Sequence, residues 1–160
     1  MRQIAHVFAA QERPLVAFVG PVSRTWHEDV DVIIVVLEAL RELADFRIVL
    51  GGRFGFDLKV LEAAALLDLE VFIYAPEGAI CLAPDFVRAP DMLDGVCLVV
   101  AFPAVTARVV KTAASDAPPP VEWVAGPVES ADTEIVGLAL RLGVPVLSMN
   151  RNGALELHGG

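Results

Sequence analysis

The nine residues Val49-Leu50-Gly51-Gly52-Arg53-Phe54-Gly55-Phe56-Asp57 decide the fold and indicate a binding site. They follow a predicted strand, Phe46 to Leu50, and open a predicted helix, Leu58 to Leu67. Glycines in a strand-to-helix turn let the backbone approach a ligand closely, and the helix N-terminus presents N–H groups that favour anions. This stretch therefore predicts an α/β fold that binds a phosphorylated small molecule.

Size and charge narrow the possible functions. The 160 residues predict one domain spanning 1–160, and an apolar fraction of 56% supplies ample core. The excess of apolar residues also predicts a homo-oligomer, most simply a dimer. The net charge of −9 and the pI of about 4.7 lack the basic footprint with which proteins contact nucleic-acid phosphates, so a nucleic-acid partner is not expected.

The sequence also predicts a cytoplasmic protein without a membrane segment or a metal site. No apolar run reaches the roughly 18 residues of a transmembrane helix, and Met1 to Ile4 lacks the apolar core of a signal peptide. Cys81 and Cys97 lie in or beside apolar stretches, which is typical of buried thiols in a reducing compartment. The histidines stand apart, without the spacing of zinc ligands: His6, His27 and His158.

Strands and helices alternate along the first half of the chain. Leu15 to Val19 predicts a strand that ends at Gly20, and Thr25-Trp26-His27-Glu28 has the form of a capping box. Apolar residues then recur at helical spacing, which predicts a helix to about Ala44. After the glycine turn and its helix, a strand is expected from Val71 to Ala75, with Pro76 ending it.

The second half continues the alternation. Predicted strands are Val96 to Phe102, Val121 to Ala125 and Val144 to Met149, and predicted helices are Ala104 to Ala114 and Asp132 to Leu142. Asn152-Gly153 between apolar runs predicts a hairpin, which returns Ala154 to Leu157 as an antiparallel edge strand. Gln3 to Phe8 is predicted as a further edge strand, and the acidic connection Glu77 to Gly95 as a lid or a partner surface.

This order of elements predicts a three-layer, Rossmann-like α/β fold, in which a doubly wound and mostly parallel sheet carries helices on both faces. Such folds bind ligands at the carboxyl ends of their strands. Three of the predicted strand ends carry suggestive residues: Gly20 to Arg24, Gly51 to Asp57, and Pro76.

Two segments resemble a known superfamily. Val16 to Arg24 is similar to the first strand and Gly-Ser-Arg-like loop of the SLOG proteins, which include DprA/Smf, the Lonely Guy phosphoribohydrolases and the molybdenum-cofactor carriers. Val49 to Asp57, with Ala63-Ala64 and Val71 to Pro76, resembles their Gly-Gly-x-x-Gly-x-Asp turn, small-residue helix and next strand. Leu142 to Val146 resembles the entry to their closing strand. The resemblance implies a nucleotide or nucleotide-derived phosphorylated ligand and a dimer.

The chain departs from the phosphoribohydrolases at their catalytic loop. Those enzymes carry Pro-Gly-Gly-x-Gly-Thr-x-x-Glu after the fourth strand, whereas this chain has Pro103-Ala104-Val105-Thr106 after its corresponding run. Thr133 and Glu134 are adjacent instead of three residues apart, which turns the carboxylate away by about 200° on a helix. The catalytic glutamate therefore has no counterpart here, and the catalytic residues stay unknown.

The candidate ligand-binding residues fall into two groups. Gly20, Gly51, Gly52 and Gly55 would bring backbone N–H groups to a ligand, unless these glycines serve close packing alone. Asp57 would cap the helix, hold a ribose hydroxyl or hold the loop itself.

Arg24 and Arg53 would donate to a phosphate as bidentate partners, or else lie solvated on the surface. Ser23 would bind the same phosphate or make a turn hydrogen bond. Ser130 and Thr133 would hold a second anionic group or cap their helix.

Three functions remain open. The leading interpretation is a sensor or carrier that binds a nucleotide-derived ligand at the glycine turn. The first alternative is a nucleoside-monophosphate N-glycosidase with Asp57, Asp132 or Glu134 as the acid or base, although first-turn carboxylates also simply complement a helix dipole. Trp26 and Trp123 would stack on a base or pack internally. The second alternative is a partner-binding module that uses Glu77 to Asp94 and has no small-molecule ligand.

Overall fold

The computed structural model describes residues 2–21, 27–51, 55–74, 88–89, 93–102, 105–109, 121–125, 130–149 and 155–159. Its helices are α1 (Arg2–Ala9), α2 (His27–Arg41), α3 (Phe56–Leu66) and α4 (Ser130–Arg141). Its strands are β1 (Leu15–Val19), β2 (Arg47–Leu50), β3 (Val71–Tyr74), β4 (Arg88–Ala89), β5 (Val96–Ala101), β6 (Val105–Val109), β7 (Val121–Ala125), β8 (Val146–Met149) and β9 (Leu155–His158).

Among the described residues, seven strands form one sheet in the order β4-β3-β2-β1-β5-β8-β9. All strands from β4 to β8 in that order are parallel, and β9 alone pairs antiparallel, with β8. The hairpin and the antiparallel edge strand predicted from Asn152-Gly153 are thus confirmed, although these two residues lie outside the described part of the chain.

Helices cover both faces of the sheet. On one face, α1, α2 and α3 pack through residues such as Phe8, Leu37 and Val60 onto Val16 and Phe18 of β1. On the other face, Ala139 of α4 packs with the alternate strand residues, which include Ala17, Val99 and Val146. Because neighbouring strand residues point to opposite faces, the continuous apolar strands β1 and β5 serve both cores. The predicted three-layer, doubly wound α/β class is confirmed.

The sheet changes winding direction beside β1. The chain moves outward from β1 to β2, β3 and β4, and β5 then returns to the opposite side of β1. The register of that pair skips one residue, because Leu15 lies opposite Val96 while Val16 lies opposite Leu98. Cys97 is the extra residue, and it forms a β-bulge at the amino end of β5. The β1–β5 pair is therefore the topological switch point of the sheet.

The predicted edge strand Gln3 to Phe8 is wrong, because this segment forms helix α1. Ile4 and Phe8 lie four residues apart and are both buried, as one helical face requires. The Phe8 ring lies 6.1 Å from the Phe46 ring, which anchors the helix beside the amino end of β2.

The predicted helix Ala104 to Ala114 is also wrong, because its first half forms β6. Val105, Thr106 and Val109 are β-branched, and such side chains favour extended backbone. Strand β6 pairs antiparallel with β7, from Val105 opposite Ala125 to Val109 opposite Val121. The predicted strand Val121 to Ala125 is confirmed, but it belongs to this separate two-stranded sheet.

The other predicted elements occur with shifted ends. The helix expected to reach Ala44 ends at Arg41, and the helix expected from Leu58 begins at Phe56. Within the connection Glu77 to Gly95, the structure describes the two-residue strand β4 and the turn from Leu93 to Gly95. The rest of that connection lies outside the described residues, so the lid or partner-surface hypothesis stays a prediction.

Candidate functional site

The carboxyl ends of the parallel strands and the N-termini of three helices meet at one edge of the sheet. Helices α2 and α3 follow β1 and β2 after short connections, so each begins where its strand ends. Helix α4 ends close to the start of β8 and runs back beside it, which directs its N-terminus, Ser130, to the same edge. This carboxyl edge is where doubly wound sheets bind ligands.

Gly20 ends β1 at this edge and is packed tightly. A Cβ atom at this position would lie within 2.8 Å of three carbon atoms of the Phe56 ring. Phe56 is the first residue of α3, so only a glycine lets this helix start directly against the end of β1. Close packing accounts for Gly20 whether or not a ligand binds, and its predicted ligand contact stays a prediction.

Two buried phenylalanines pack together at the carboxyl edge, beside the switch point. Phe56 and Phe102 are fully buried, and their ring centroids are 4.9 Å apart with a tilt of 39°. The backbone N–H of Phe102 donates to the carbonyl oxygen of Val19 at 2.9 Å, which extends the β1–β5 pairing by one residue. This aromatic pair closes the core beneath the site. A ligand would therefore meet the loops and helix ends above it.

The residue before α3, Gly55, has a backbone conformation that requires glycine. Gly55 precedes the helix with φ 86° and ψ −123°, a conformation that side chains disfavour strongly. Its carbonyl oxygen accepts the backbone N–H of Lys59 at 3.2 Å and so starts the helix ladder. Gly51, at the other end of the turn, is half-buried. The N–H groups of the first α3 turn have no partner within the helix ladder, and such groups favour anions.

Asp57 occupies the first turn of α3 and is buried, with 1% of its surface exposed. It is the buried charged residue of the described chain. A carboxylate at a helix N-terminus is favoured by the helix dipole, which offsets part of its desolvation. Asp57 also makes further interactions within the protein. Its depth fits a role in holding the turn better than a direct contact with a ligand in solvent.

Several predicted site residues lie outside the described part of the chain: Ser23, Arg24, Gly52, Arg53 and Trp26. For another group the backbone is described and the side chain is not: His27, Trp123, Ser130, Asp132, Thr133 and Glu134. Ser130 begins α4 and Thr133 lies in its first turn, so both belong to the carboxyl edge by position. The structure thus brings Gly20, Gly51, Gly55 and Asp57 together at one edge.

A second polar group lies on the β8–β9 hairpin, and the sequence reasoning missed it. His158 Nε2 lies 2.9 Å from Ser148 Oγ and 3.9 Å from a carboxylate oxygen of Glu156. Both partners face the same ring nitrogen, so the carboxylate does not orient His158 through Nδ1 as a Ser–His–acid triad requires. The alternation of Leu155-Glu156-Leu157-His158 was the available signal, since it places both charged residues on one strand face.

Among the residues that the structure describes, no group of three or more histidine, cysteine, aspartate or glutamate side chains is arranged to hold a metal ion. Within the same residues, no helix is long and apolar enough to cross a bilayer.

The fold occurs in a solved structure of a Moco carrier protein from Chlamydomonas reinhardtii. The superposition has a TM-score of 0.53 and covers 86% of this chain and 76% of the carrier chain, with 13% sequence identity. No protein-family model and no curated protein matches the sequence. The chain therefore shares its Rossmann-like α/β fold with a Moco carrier protein.

Proposed function

We propose that this protein binds a nucleotide or a nucleotide-derived phosphorylated small molecule at the carboxyl edge and acts as its sensor or carrier. The phosphate would lie on the turn from Gly51 to Asp57, with Arg24 and Arg53 as its charge partners. Ser23, and Ser130 with Thr133 at the start of α4, would complete the polar lining.

The observation that carries the proposal is the topological switch beside β1. At a switch point the loops that leave adjacent strands diverge to opposite faces, which leaves a crevice above the strand ends. In this sheet the switch point is the β1–β5 pair, so the crevice would lie above it, with Gly20 and the start of α3 at its side. A glycine turn and a helix N-terminus at such a crevice are the usual means of binding phosphate.

Charge supports the same placement. The chain carries a net charge of −9, so a bound anion needs local positive potential. The α3 N-terminus supplies about half a unit of positive charge. Arg53 lies within the glycine turn and Arg24 lies four residues after Gly20, so two arginines occur in the loops that leave this edge.

The structural neighbour supports a carrier over a catalyst. It is named as a carrier protein, and its fold covers most of this chain. By contrast, the burial of Asp57 does not favour it as the acid or base of the alternative N-glycosidase. Cleavage of a nucleoside monophosphate to its free base, measured by chromatography, would replace the carrier proposal with that enzyme.

Thermal unfolding tests the proposal. The panel contains nucleoside mono-, di- and triphosphates, cyclic dinucleotides, ADP-ribose and a pterin cofactor, each at millimolar concentration. A ligand at about 100 times its Kd stabilises the folded state by about 2.7 kcal/mol. For a chain of this size, that raises Tm by about 5 to 11 °C.

Variants locate the site once a ligand is found. Gly52→Val and Arg53→Ala should abolish the Tm shift, because they block the turn and remove a charge partner. Arg141→Ala is the matched control, since Arg141 lies exposed in the last turn of α4, away from the edge. A full shift in both turn variants would refute this placement of the ligand.

A further inference from the structure

An open groove runs between α2 and α3 on the outer surface of their layer. It has a volume of about 610 Å³ and is lined by Val30, Asp31, Glu62, Ala65 and Leu66. Helices α2 and α3 pack side by side, and both follow parallel strands on one face of the sheet, so they run in the same direction. We call this surface the α2–α3 groove.

Apolar side chains in and beside the groove face solvent. Leu66, which lines the groove, is 71% exposed. Val35 is 65% exposed and does not line the groove, but it lies beside it, one helical turn beyond Asp31 on α2. The core already has its own α2 contacts through Ile33, Leu37 and other buried residues. The exposed stripe therefore contributes nothing to the core and is available to a partner.

Carboxylates border this apolar stripe. Asp31 and Glu62 line the groove, and the exposed Glu38 follows Val35 by three residues along α2. Glu62 is already paired, because Lys59 Nζ lies 3.5 Å from its carboxylate, so the acidic charge without a described cation partner is that of Asp31 and Glu38. Arg41 is engaged elsewhere, since it donates to the carbonyl oxygen of Leu67 at 2.7 Å. The groove thus combines an apolar centre with an acidic border.

The charge of the α2–α3 groove indicates which kind of partner it binds. A second copy of this chain would bring carboxylates against carboxylates, and its net charge of −9 would add to the repulsion. A groove between two helices has no free backbone edge to pair with a strand. It accepts ridges of side chains, which an amphipathic helix presents at i, i+3, i+4 and i+7. We propose that the α2–α3 groove binds a basic amphipathic helix of another protein.

The test measures binding of a synthetic helical peptide, with leucines at i, i+3, i+4 and i+7 and lysines elsewhere, by fluorescence anisotropy. Leu66→Ser should weaken binding about tenfold, equal to about 1.4 kcal/mol. Asp31→Lys should weaken it about fivefold, because an exposed attraction becomes a repulsion. Raising the salt concentration from 50 to 300 mM should weaken it further through screening.

Matched controls separate the groove from general attraction to an acidic protein. Leu142→Ser removes a 61% exposed leucine at the end of α4, and Asp94→Lys reverses an exposed charge in the turn before β5. Both should change the affinity less than about twofold. All of these positions are exposed, so circular dichroism should report the native helix content for each variant.

Three results would overturn the proposal. Equal losses in the groove variants and the controls, or no binding by the wild-type protein, would show that the groove does not recognise basic helices. Sedimentation of the wild-type protein as a dimer that Leu66→Ser dissociates would instead assign the groove to a second copy of this chain.

Discussion

The contact between Gly20 and Phe56 yields the sharpest stability prediction. Substituting Gly20→Ala adds one methyl group at a point that lies within 2.8 Å of three ring carbons. Real Cβ atoms essentially never approach other atoms closer than 3.0 Å, so the ring or the strand end must move. The ring has little freedom, because it is fully buried and packs against the tilted ring of Phe102.

The cost of Gly20→Ala follows from overpacking. Adding a methylene to a well-packed core costs about 1 to 3 kcal/mol, and three simultaneous contacts place this site at about 2 to 3 kcal/mol. The reduced freedom of the unfolded chain offsets less than about 1 kcal/mol of this. The net cost is therefore about 1 to 3 kcal/mol, and for 160 residues the expected fall in Tm is about 2 to 12 °C.

Chemical and thermal denaturation measure this cost against a matched control. Gly137→Ala makes the same chemical change within α4, where an added Cβ meets nothing within 4 Å. It should stabilise the protein by up to about 1 kcal/mol, because alanine is the better helix former. In a Phe56→Ala background the cost of Gly20→Ala should fall to near zero, since the clash is gone.

The same experiment can refute the reasoning. If Gly20→Ala unfolds at the wild-type temperature, or if its cost persists unchanged without the Phe56 ring, then α3 does not start against the end of β1. The candidate edge would then need a different geometry.

Three further predictions concern helix ends, a surface ion pair and a thiol. Asp68 (φ 55°) and Gly143 (φ 77°) occupy the same left-handed position after α3 and α4. In urea denaturation, Asp68→Gly should therefore stabilise the protein by about 1 kcal/mol, and Gly143→Ala should destabilise it by about the same amount. Arg13→Ala should cost less than about 1 kcal/mol, because its 2.9 Å pair with Glu70 is exposed, and a larger loss would show that the pair is coupled to the fold. Burial raises the pKa of the Cys97 thiol. In a Cys81→Ser variant, iodoacetamide should therefore alkylate Cys97 more slowly than free cysteine at pH 8, and the alkylation rate should increase above pH 9. Equal rates at pH 8 would contradict this.

The central fold was predictable because its strands carry strong local signals. Leu15 to Val19 is an unbroken apolar run before a glycine, and the structure forms β1 over the same residues. Asn152-Gly153 marked the hairpin before β9 for similar reasons, since its turn chemistry is local. These signals need no knowledge of distant contacts.

The two errors have different causes. Gln3 to Phe8 was predicted as a strand although Ile4, Val7 and Phe8 recur at helical spacing, and the structure forms helix α1 there. Val105 to Val109 becomes a strand because Val121 to Ala125 pairs with it. This second outcome depends on a contact between distant segments, which overrides local propensity.

The position of the candidate edge was predictable from the sequence, but the packing that explains its glycines was only partly predictable. Gly20, Gly51 and Gly55 were expected from their places in the sequence, and they lie at one edge as predicted. That Gly20 is packed by Phe56, and that Phe102 completes the pair, depends on three segments meeting. A single sequence does not reveal such a meeting.

The proposed function requires that the carboxyl edge binds a phosphorylated, nucleotide-derived ligand. Titration of ¹⁵N-labelled protein with the same ligand panel, followed through backbone amide shifts, tests this requirement residue by residue. We expect at least one compound to move the amides of Gly20, Gly51, Gly55 and Asp57 and to leave those of β9 unchanged. Shifts confined to β9 or to the α2–α3 groove, or a panel that moves no amide at the edge, would contradict it.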